Sequence, residues 1–402
     1  MNQRLVIVGG GPVGLAFALA ASRLANVDVT VVERSLDLAV APSPLAPFDH
    51  RAFDHRVCDH RAFDHRVYAL SPASLAFLAD LAVVPPPSRV AHIRAMQVWG
   101  DASAGDGHLD LARGSHLASV VEHSALMFAL EAAVVRGDRI QMLRGAIATA
   151  MRVDGNRHAL DLASGATLQA DLLIGADGSR SQIRAFAGIQ AATKDYVSEG
   201  IVANFATTGS HGDVARQWFT KDTVLAYLPL PRQQMSMVWS VPKALSESLK
   251  TLDDDGLAAA VAAAGQHALG KLKLISPVAR FPLAQVMAST WWQPGLALIG
   301  DAAHAIHPLA GQGVNLGFAD ARTLAEVLRT RSKFSAIGDA LLLRRYARQR
   351  HEATLALSQL TDQLRALYAR ESRPARWIRN DGLGLLNRVP TLKAALIDYA
   401  IH

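Results

Sequence analysis

The first thirty-three residues constrain the fold of this chain more than any other stretch. Leu5, Val6, Ile7 and Val8 form a short apolar run of the kind buried in a parallel sheet. Gly9, Gly10, Gly11, Pro12, Val13 and Gly14 follow at once, a G-x-G-x-x-G spacing at a strand-to-helix junction, and an apolar stretch continues to Ala21. Val29, Thr30, Val31 and Val32 predict a second strand ending at Glu33, nineteen residues after Gly14. Each part has a mechanical reason. Gly9 permits the tight turn, Gly11 lets a pyrophosphate approach the backbone, and Gly14 lets the helix close on the strand. The helix N-terminus offers unpaired N–H groups to phosphates, and Glu33 is placed to accept hydrogen bonds from an adenosine ribose. Arg4 before an apolar run, with Ala18, Leu19 and Ala20, imitates a secretory signal. The second strand and its terminal acid decide for a dinucleotide turn. No other stretch is both long and apolar enough to span a bilayer.

A chain of 402 residues is longer than one core usually supports, so two or three domains are expected. With half of its residues apolar it is neither disordered nor fibrous. Cys58 is the only cysteine, which excludes a disulfide framework and any thiolate zinc or iron–sulfur site. A reducing, cytoplasmic setting fits. The net charge of +6 resides in the last sixty residues, where eleven Lys and Arg face five acids. No nucleic-acid recognition motif accompanies them. A basic end suits an anionic membrane surface or an acidic partner.

Residues 48–67 are four copies of one pentamer, with Asp-His-Arg constant in each. The histidines His50, His55, His60 and His65, beside four aspartates, suggest a metal site. Geometry opposes it. A spacing of five turns helical residues by about 140° per step and alternates them across a strand. No metal is expected, and a solvated loop is.

Two further motifs carry chemistry. Residues 172–174 predict a buried strand running into Gly175, Ala176, Asp177 and Gly178 and then a helix start; residues 139–143 and 159–162 predict short strands before it, with a turn at Ser164 and Gly165. Residues 296–299 predict another buried strand, ending in Gly300 and Asp301, where open α/β sheets bind ligands. His304, His307, Pro308, Gly311, Gly313, Val314 and Asn315 follow, then a helix to about Arg329. Gly311 and Gly313 let backbone N–H groups approach a ligand at a helix N-terminus, which suits negative charge.

This combination resembles the single-component flavin-dependent aromatic hydroxylases, the p-hydroxybenzoate hydroxylase-like group. Residues 66–74, 120–124, 215–219, 225–230, 300–320 and 343–350 narrow the resemblance to the UbiH-like hydroxylases of ubiquinone biosynthesis, over almost the whole chain. The resemblance implies a cofactor, FAD, held by Gly9, Gly11, Gly14, Glu33, Arg66, Asp177, Gly178, Gly300, Asp301, Pro308, Gly311, Gly313, Val314 and Asn315. Arg66 is assigned because the last pentamer copy, 63–67, occupies the family's own position. The other three copies, fifteen residues, depart from the family pattern beside the cofactor.

The fold implied is α/β: a discontinuous, Rossmann-like FAD-binding domain (1–83, 112–186 and 280–342), an inserted β-sheet substrate domain (84–111 and 187–279) and basic C-terminal helices (343–402). Residues 90–99, 201–206, 217–219, 224–229 and 235–241 predict strands of the inserted sheet, and 256–273 an Ala-rich helix. Gln217, Trp218 and Phe219 face either the substrate or the sheet core. His304 and His307 are the candidates for proton handling, with a structural histidine as the competing reading. The implied reaction is hydroxylation of a lipophilic, polyprenylated phenol through a flavin hydroperoxide, with NAD(P)H and O2 as co-substrates. An inactive scaffold of a quinone-biosynthesis complex, or a relative acting on a soluble aromatic acid, remain the alternatives. Leu357, Leu360, Leu364 and Leu367 form a helical stripe, as do Val389, Leu392, Leu396 and Tyr399. These helices either pack on the FAD domain or dock at the inner face of a membrane or on partner proteins.

Overall fold

A computed structural model describes residues 2–37, 39, 64–100, 108–112, 116–155, 157–220, 222–306 and 313–369. Strand β1 (Gln3–Val8) enters the glycine turn and leaves as helix α1 (Pro12–Ala21), and the chain returns as β2 (Val27–Glu33). A Cβ on Gly14 would lie 2.0 Å from the Gly9 carbonyl oxygen, and one on Gly9 would lie 2.3 Å from that of Ala176. Gly9 also has φ +114°, which side chains with a Cβ rarely adopt. Both glycines are therefore required for α1 to lie as it does.

Strand β1 pairs in parallel with β2 and with β12 (Leu172–Gly175), and β12 pairs in parallel with β20 (Leu296–Leu298). β8 (Ile140–Arg144) extends the sheet beyond β2, and β19 (Trp292–Gln293) closes the other edge antiparallel. Their order is β19-β20-β12-β1-β2-β8. Helix α1 packs between α3 (His123–Arg136) and α7 (Gly313–Arg329) on this sheet. A three-stranded antiparallel sheet, β9 (Ala148–Asp154), β10 (Arg157–Leu162) and β11 (Thr167–Ala170), packs through β10 and β11 on β12 and β1. Leu160, Leu162 and Ala170 join its core. The glycine turn, Glu33, the Asp177 turn and Asp301 each sit where a parallel strand ends, so they gather at one edge.

The second large sheet runs β21 (His304–Ala305), β18 (Ala279–Ala288), β13 (Ala191–Thr207), β16 (Gln234–Pro242), β15 (Val224–Leu230), β14 (Val214–Phe219), β5 (Ala95–Trp99), β6 (His108–Ala112), with β17 (Leu272–Leu274) also on β13. One face carries Ile201, Phe205, Trp218, Tyr227, Met237 and Trp239 into a core capped by α5 (Lys243–Lys250) and α6 (Asp254–Ala264). A smaller sheet, β3 (Val67–Leu70), β7 (Ala118–Glu122) and β4 (Val90–Ile93), packs Ala69, Ala91 and Val120 against Ala215 and Leu230. After β3, α2 (Pro72–Asp80) is capped by Ser71, which accepts from Ser74 N–H.

Three expectations change. Residues 90–99 are two strands in different sheets, broken at Arg94, whose N–H turns aside to Asp213 O at 2.9 Å. The helix of 256–273 ends at Gly265, because the chain turns into the left-handed region at Gln266 and His267, with φ of +53° and +55°. Residues 280–288 and 304–305, assigned to the FAD-binding part, pair within the second large sheet along β13 and β18.

Helix α8 (Ala340–Ala369) packs on α7 and β19, and Tyr346 Oη donates to Leu298 O at 2.8 Å. The side chains of Leu360, Leu364 and Leu367, the stripe at 389–399, Cys58 and the first three pentamer copies lie outside the described residues. Among the described residues no helix is long and apolar enough to cross a membrane.

The small sheet is locked by a buried ion pair. Arg89 Nη1 donates to both oxygens of Glu122, at 3.0 and 3.1 Å, with 3% and 1% of the two side chains exposed. Replacing one partner leaves the other charge buried and unpaired. Arg89→Ala should lower unfolding free energy by about 3–5 kcal/mol, read as a shifted urea midpoint.

Candidate active site

The turn after β1 is built to receive an anion. Gly11 caps α1 with no side-chain cap, the first turn holds no acid, and a Cβ on Gly11 would meet nothing within 4 Å. The helix N–H groups and its positive dipole end thus face open space. Glu33 closes the turn from β2: Oε2 accepts Gly10 N–H at 2.6 Å and Oε1 accepts Ser35 N–H at 2.8 Å. Each oxygen keeps a lone pair for a hydroxyl donor.

The strand-end acid Asp301 lies across Val13 from this turn, for Gly300 (φ +59°) packs on the Val13 side chain. Asp301 is exposed, yet dense protein surrounds it and pushes its carboxyl above the usual aspartate range, against the pull of His304 and Arg66. Asp301 thus stands at the protein surface, at the end of β20. Arg66 places its guanidinium 5.3 Å from the Tyr68 ring centre. Tyr68 Oη and His123 Nδ1 share a hydrogen bond of 2.9 Å. Burial, the leading cause in each, pushes the Tyr68 phenol up to about 12 and His123 down.

Arg66 reaches this place because Asp64, in the last pentamer copy, is anchored on every side. Its N–H donates to Glu122 Oε2, its carboxylate accepts from Ser124 N–H and Arg66 N–H, and its carbonyl accepts from Asn204 Nδ2. Of the repeat histidines, His65 alone is described, 3.6 Å from Asp64. No group of three metal-binding side chains occurs among the described residues.

Asp177 serves the turn itself. Oδ1 accepts from Ser181 Oγ at 2.5 Å, and Oδ2 accepts from Gln182 and Ile183 N–H at 2.7 and 3.1 Å, so it caps α4 (Gln182–Phe186). Gly178 follows at φ +81°. Asn315 is likewise a tie: its Oδ1 accepts Ser71 N–H and Ser74 Oγ–H, and its Nδ2 donates to Ala69 O. Gly313 and Val314 open α7, while His307, Pro308 and Gly311 lie outside the described residues.

Two alternatives that the sequence leaves open are narrowed here. His304 is 1% exposed, its Nε2 meets Asp320 Oδ2 at 2.6 Å, and its ring lies 4.7 Å from that of Trp291. It is a buried structural histidine and not a group that touches substrate. Gln217, Trp218 and Phe219 cannot share one surface, because adjacent strand residues point to opposite faces. Trp218 enters the helix-backed core, stacked on Trp99 at 5.0 Å and edge-on to Tyr227. Gln217 occupies the other face, in one row with Val98, Ala226, Val238, Val202 and Ala279. Asn204, two residues beyond Val202 on that face, bonds Asp64, so this face looks toward the end of the last pentamer copy.

Sequence reasoning missed Tyr68, His123, Asp320 and Arg350. Asp320 left one sign: an acid within the apolar stripe Gly317, Phe318, Ala321 and Leu324 of an amphipathic helix. The other three acquire partners only through long-range contacts.

Comparison with known proteins agrees with this geometry. Residues 91–361 match the family model described as an FAD binding domain, and residues 4–41 match that of pyridine nucleotide-disulphide oxidoreductases. The 3-demethoxyubiquinol 3-hydroxylase of Escherichia coli (strain K12) is 32% identical, over 99% of this chain and 98% of that protein. The mitochondrial ubiquinone biosynthesis monooxygenase COQ6 of Mus musculus is 31% identical, over 83% of this chain and 80% of that protein. Among solved structures, Klebsiella pneumoniae HpxO complexed with FAD and uric acid superposes with a TM-score of 0.73 at 17% identity, covering 99% and 97% of the two chains. The p-nitrophenol 4-monooxygenase PnpA of Pseudomonas putida gives 0.74 at 15% identity, covering 100% and 98%. These two likenesses concern the fold alone.

An NMR titration should place the His123 pKa below 6.5, and Arg66→Gln should raise it, since burial and the Arg66 charge both disfavour the imidazolium. A depressed folded pKa means that the neutral ring's contribution to stability is present above pH 6.5. That contribution is lost as pH falls through the lower folded value.

Proposed function

We propose, for a chain that belongs to the FAD-dependent hydroxylases of ubiquinone biosynthesis, that its substrate is a lipophilic, polyprenylated phenol whose aromatic ring it hydroxylates. The observation that carries this reading is end-to-end similarity, at 32% identity, to a protein named for hydroxylating demethoxyubiquinol. The chain is an FAD-dependent monooxygenase, for which NAD(P)H and O2 are the usual co-substrates.

The residues present suit FAD. Open space at Gly11 and an uncapped helix N-terminus accept the diphosphate, Glu33 accepts ribose hydroxyls, and exposed Asp301 with Arg66 meets the flavin half. Pro308, Gly311, Gly313 and Val314 are assigned to the ring environment on the family pattern. Bound flavin supplies the activation of O2 that delivers one oxygen atom to the ring. The chain's own contribution is placement and exclusion of water. Gln217 offers a single amide in an otherwise apolar row, Val98, Ala226, Val238, Val202 and Ala279, and can orient a ring oxygen. Neutral Tyr68, bonded to His123, sits beside Arg66 and can take part in moving the phenolic proton. The basic segment 343–402 is assigned to contact with an anionic inner membrane face or an acidic partner of the same pathway, from the cytoplasmic side.

The test is direct. Purified protein should be yellow, oxidise NAD(P)H faster with a prenylated phenol than with an aromatic acid, and yield a product heavier by one oxygen by mass spectrometry. Asp301→Ala should weaken FAD binding at least about tenfold and lower hydroxylation with it. Colourless protein that takes up no FAD would sink the reading and favour the scaffold. Equal turnover of a soluble aromatic acid would replace the substrate assignment.

A further inference from the structure

One buried charge cluster behind the site has no part in the reading above. Asp320, on α7, is 0% exposed. Among the described residues, its Oδ2 accepts Gly300 N–H at 3.0 Å and faces His304 Nε2 at 2.6 Å, while its Oδ1 accepts Arg350 Nε–H at 2.7 Å. These donors come from separate pieces of chain. Gly300 opens the turn Gly300–Ala302 that carries Asp301, His304 begins β21, and Arg350 arrives from α8, thirty residues away.

The electrostatics show what His304 and Arg350 contribute. Burial alone drives the Asp320 carboxyl upward, and its contacts with His304 and Arg350 more than reverse this, holding it below the ordinary range. A buried carboxylate keeps its charge only when such partners repay its lost hydration. The charged carboxylate in turn grips the Gly300 N–H, one residue before Asp301. Arg350 is itself mostly buried, with 11% of its side chain exposed, so it does not belong to the solvent-facing basic surface of the tail.

We propose that Arg350 is a positioning residue for the cofactor: through Asp320 it holds Gly300 and His304, and so sets Asp301 at the edge where the parallel strands end. The proposal rests on the FAD reading above. Removing the guanidinium leaves Asp320 half-compensated. The turn then loses its anchor, and Asp301 is no longer presented at one fixed position. The guanidinium acts on the flavin half of the site from the side opposite the ligand, and it touches neither cofactor nor substrate.

The experiment uses the full-length protein stripped of FAD and titrated back by flavin fluorescence, with visible circular dichroism of the bound flavin and thermal unfolding of the apoprotein recorded beside it. Arg350→Gln should weaken FAD binding by about ten- to a hundred-fold, the loss expected for one charged hydrogen bond, and alter the flavin dichroism. Arg350→Lys, which keeps a cation, should recover part of the affinity. Arg348→Gln, an exposed neighbour on α8, should leave it unchanged. A purely structural role would lower apoprotein stability while the folded protein bound FAD with wild-type affinity and dichroism, and that result overturns the proposal. If Arg350→Gln does not fold, Arg350→Lys decides: an affinity equal to wild type overturns the proposal, and a weakened one with altered dichroism supports it. Failure of the wild-type protein to bind FAD at all would instead remove the reading on which the proposal stands.

Discussion

The approach of α1 to β1 and β12 is the constraint on which the other features depend. It brings a Cβ position on Gly14 to 2.0 Å from the Gly9 oxygen and one on Gly9 to 2.3 Å from the Ala176 oxygen, distances that only hydrogen can occupy. Any side chain there would lift the helix from the sheet. With the helix seated, its N-terminus opens at the edge where β2, β12 and β20 also end. Glu33, the Ala176–Asp177 turn and Gly300–Asp301 then arrive together as a consequence of parallel pairing. Gly317 repeats the device on α7, where a Cβ would meet Val13 at 2.5 Å.

Around that edge the protein distributes charge in two ways. Arg89 with Glu122, and Arg350 with Asp320 and His304, are buried sets that lock elements from distant parts of the chain. They favour one arrangement because any other would leave a buried charge unpaired. Asp301 and Arg66 are exposed, where a ligand can meet them. The first kind holds the second in place: Glu122 anchors Asp64 beside Arg66, and Asp320 anchors Gly300 beside Asp301.

The pentamer repeat shows how an expanded segment can be tolerated. The last copy is tied by Asp64 to β7, to α3 and to the second large sheet through Glu122, Ser124 and Asn204. Those bonds fix the point at which the chain re-enters the fold, so Arg66 and Tyr68 are placed by them and not by the length of chain that precedes them.

Much of the cofactor edge was legible in the sequence because its signals are local. A β-branched run, glycines at fixed spacing and an acid at a strand end each express a backbone requirement within a few residues, and Gly9, Gly14, Glu33 and Asp301 could be read that way. The same held for residues 201–206 and 235–241, whose composition already speaks of strands. Tertiary structure alone decided what long-range pairing assigns: that residues 90–99 divide between two sheets, that Trp218 turns into the helix-backed core while Gln217 takes the opposite face of its strand, and that His304 is buried against Asp320. It also decided that Arg350, read in the sequence as part of a basic tail, turns inward. The physical reason is common to all four. Which face of a strand is buried, and which partner an ionised group meets, depend on elements tens to hundreds of residues away, and no local pattern encodes them.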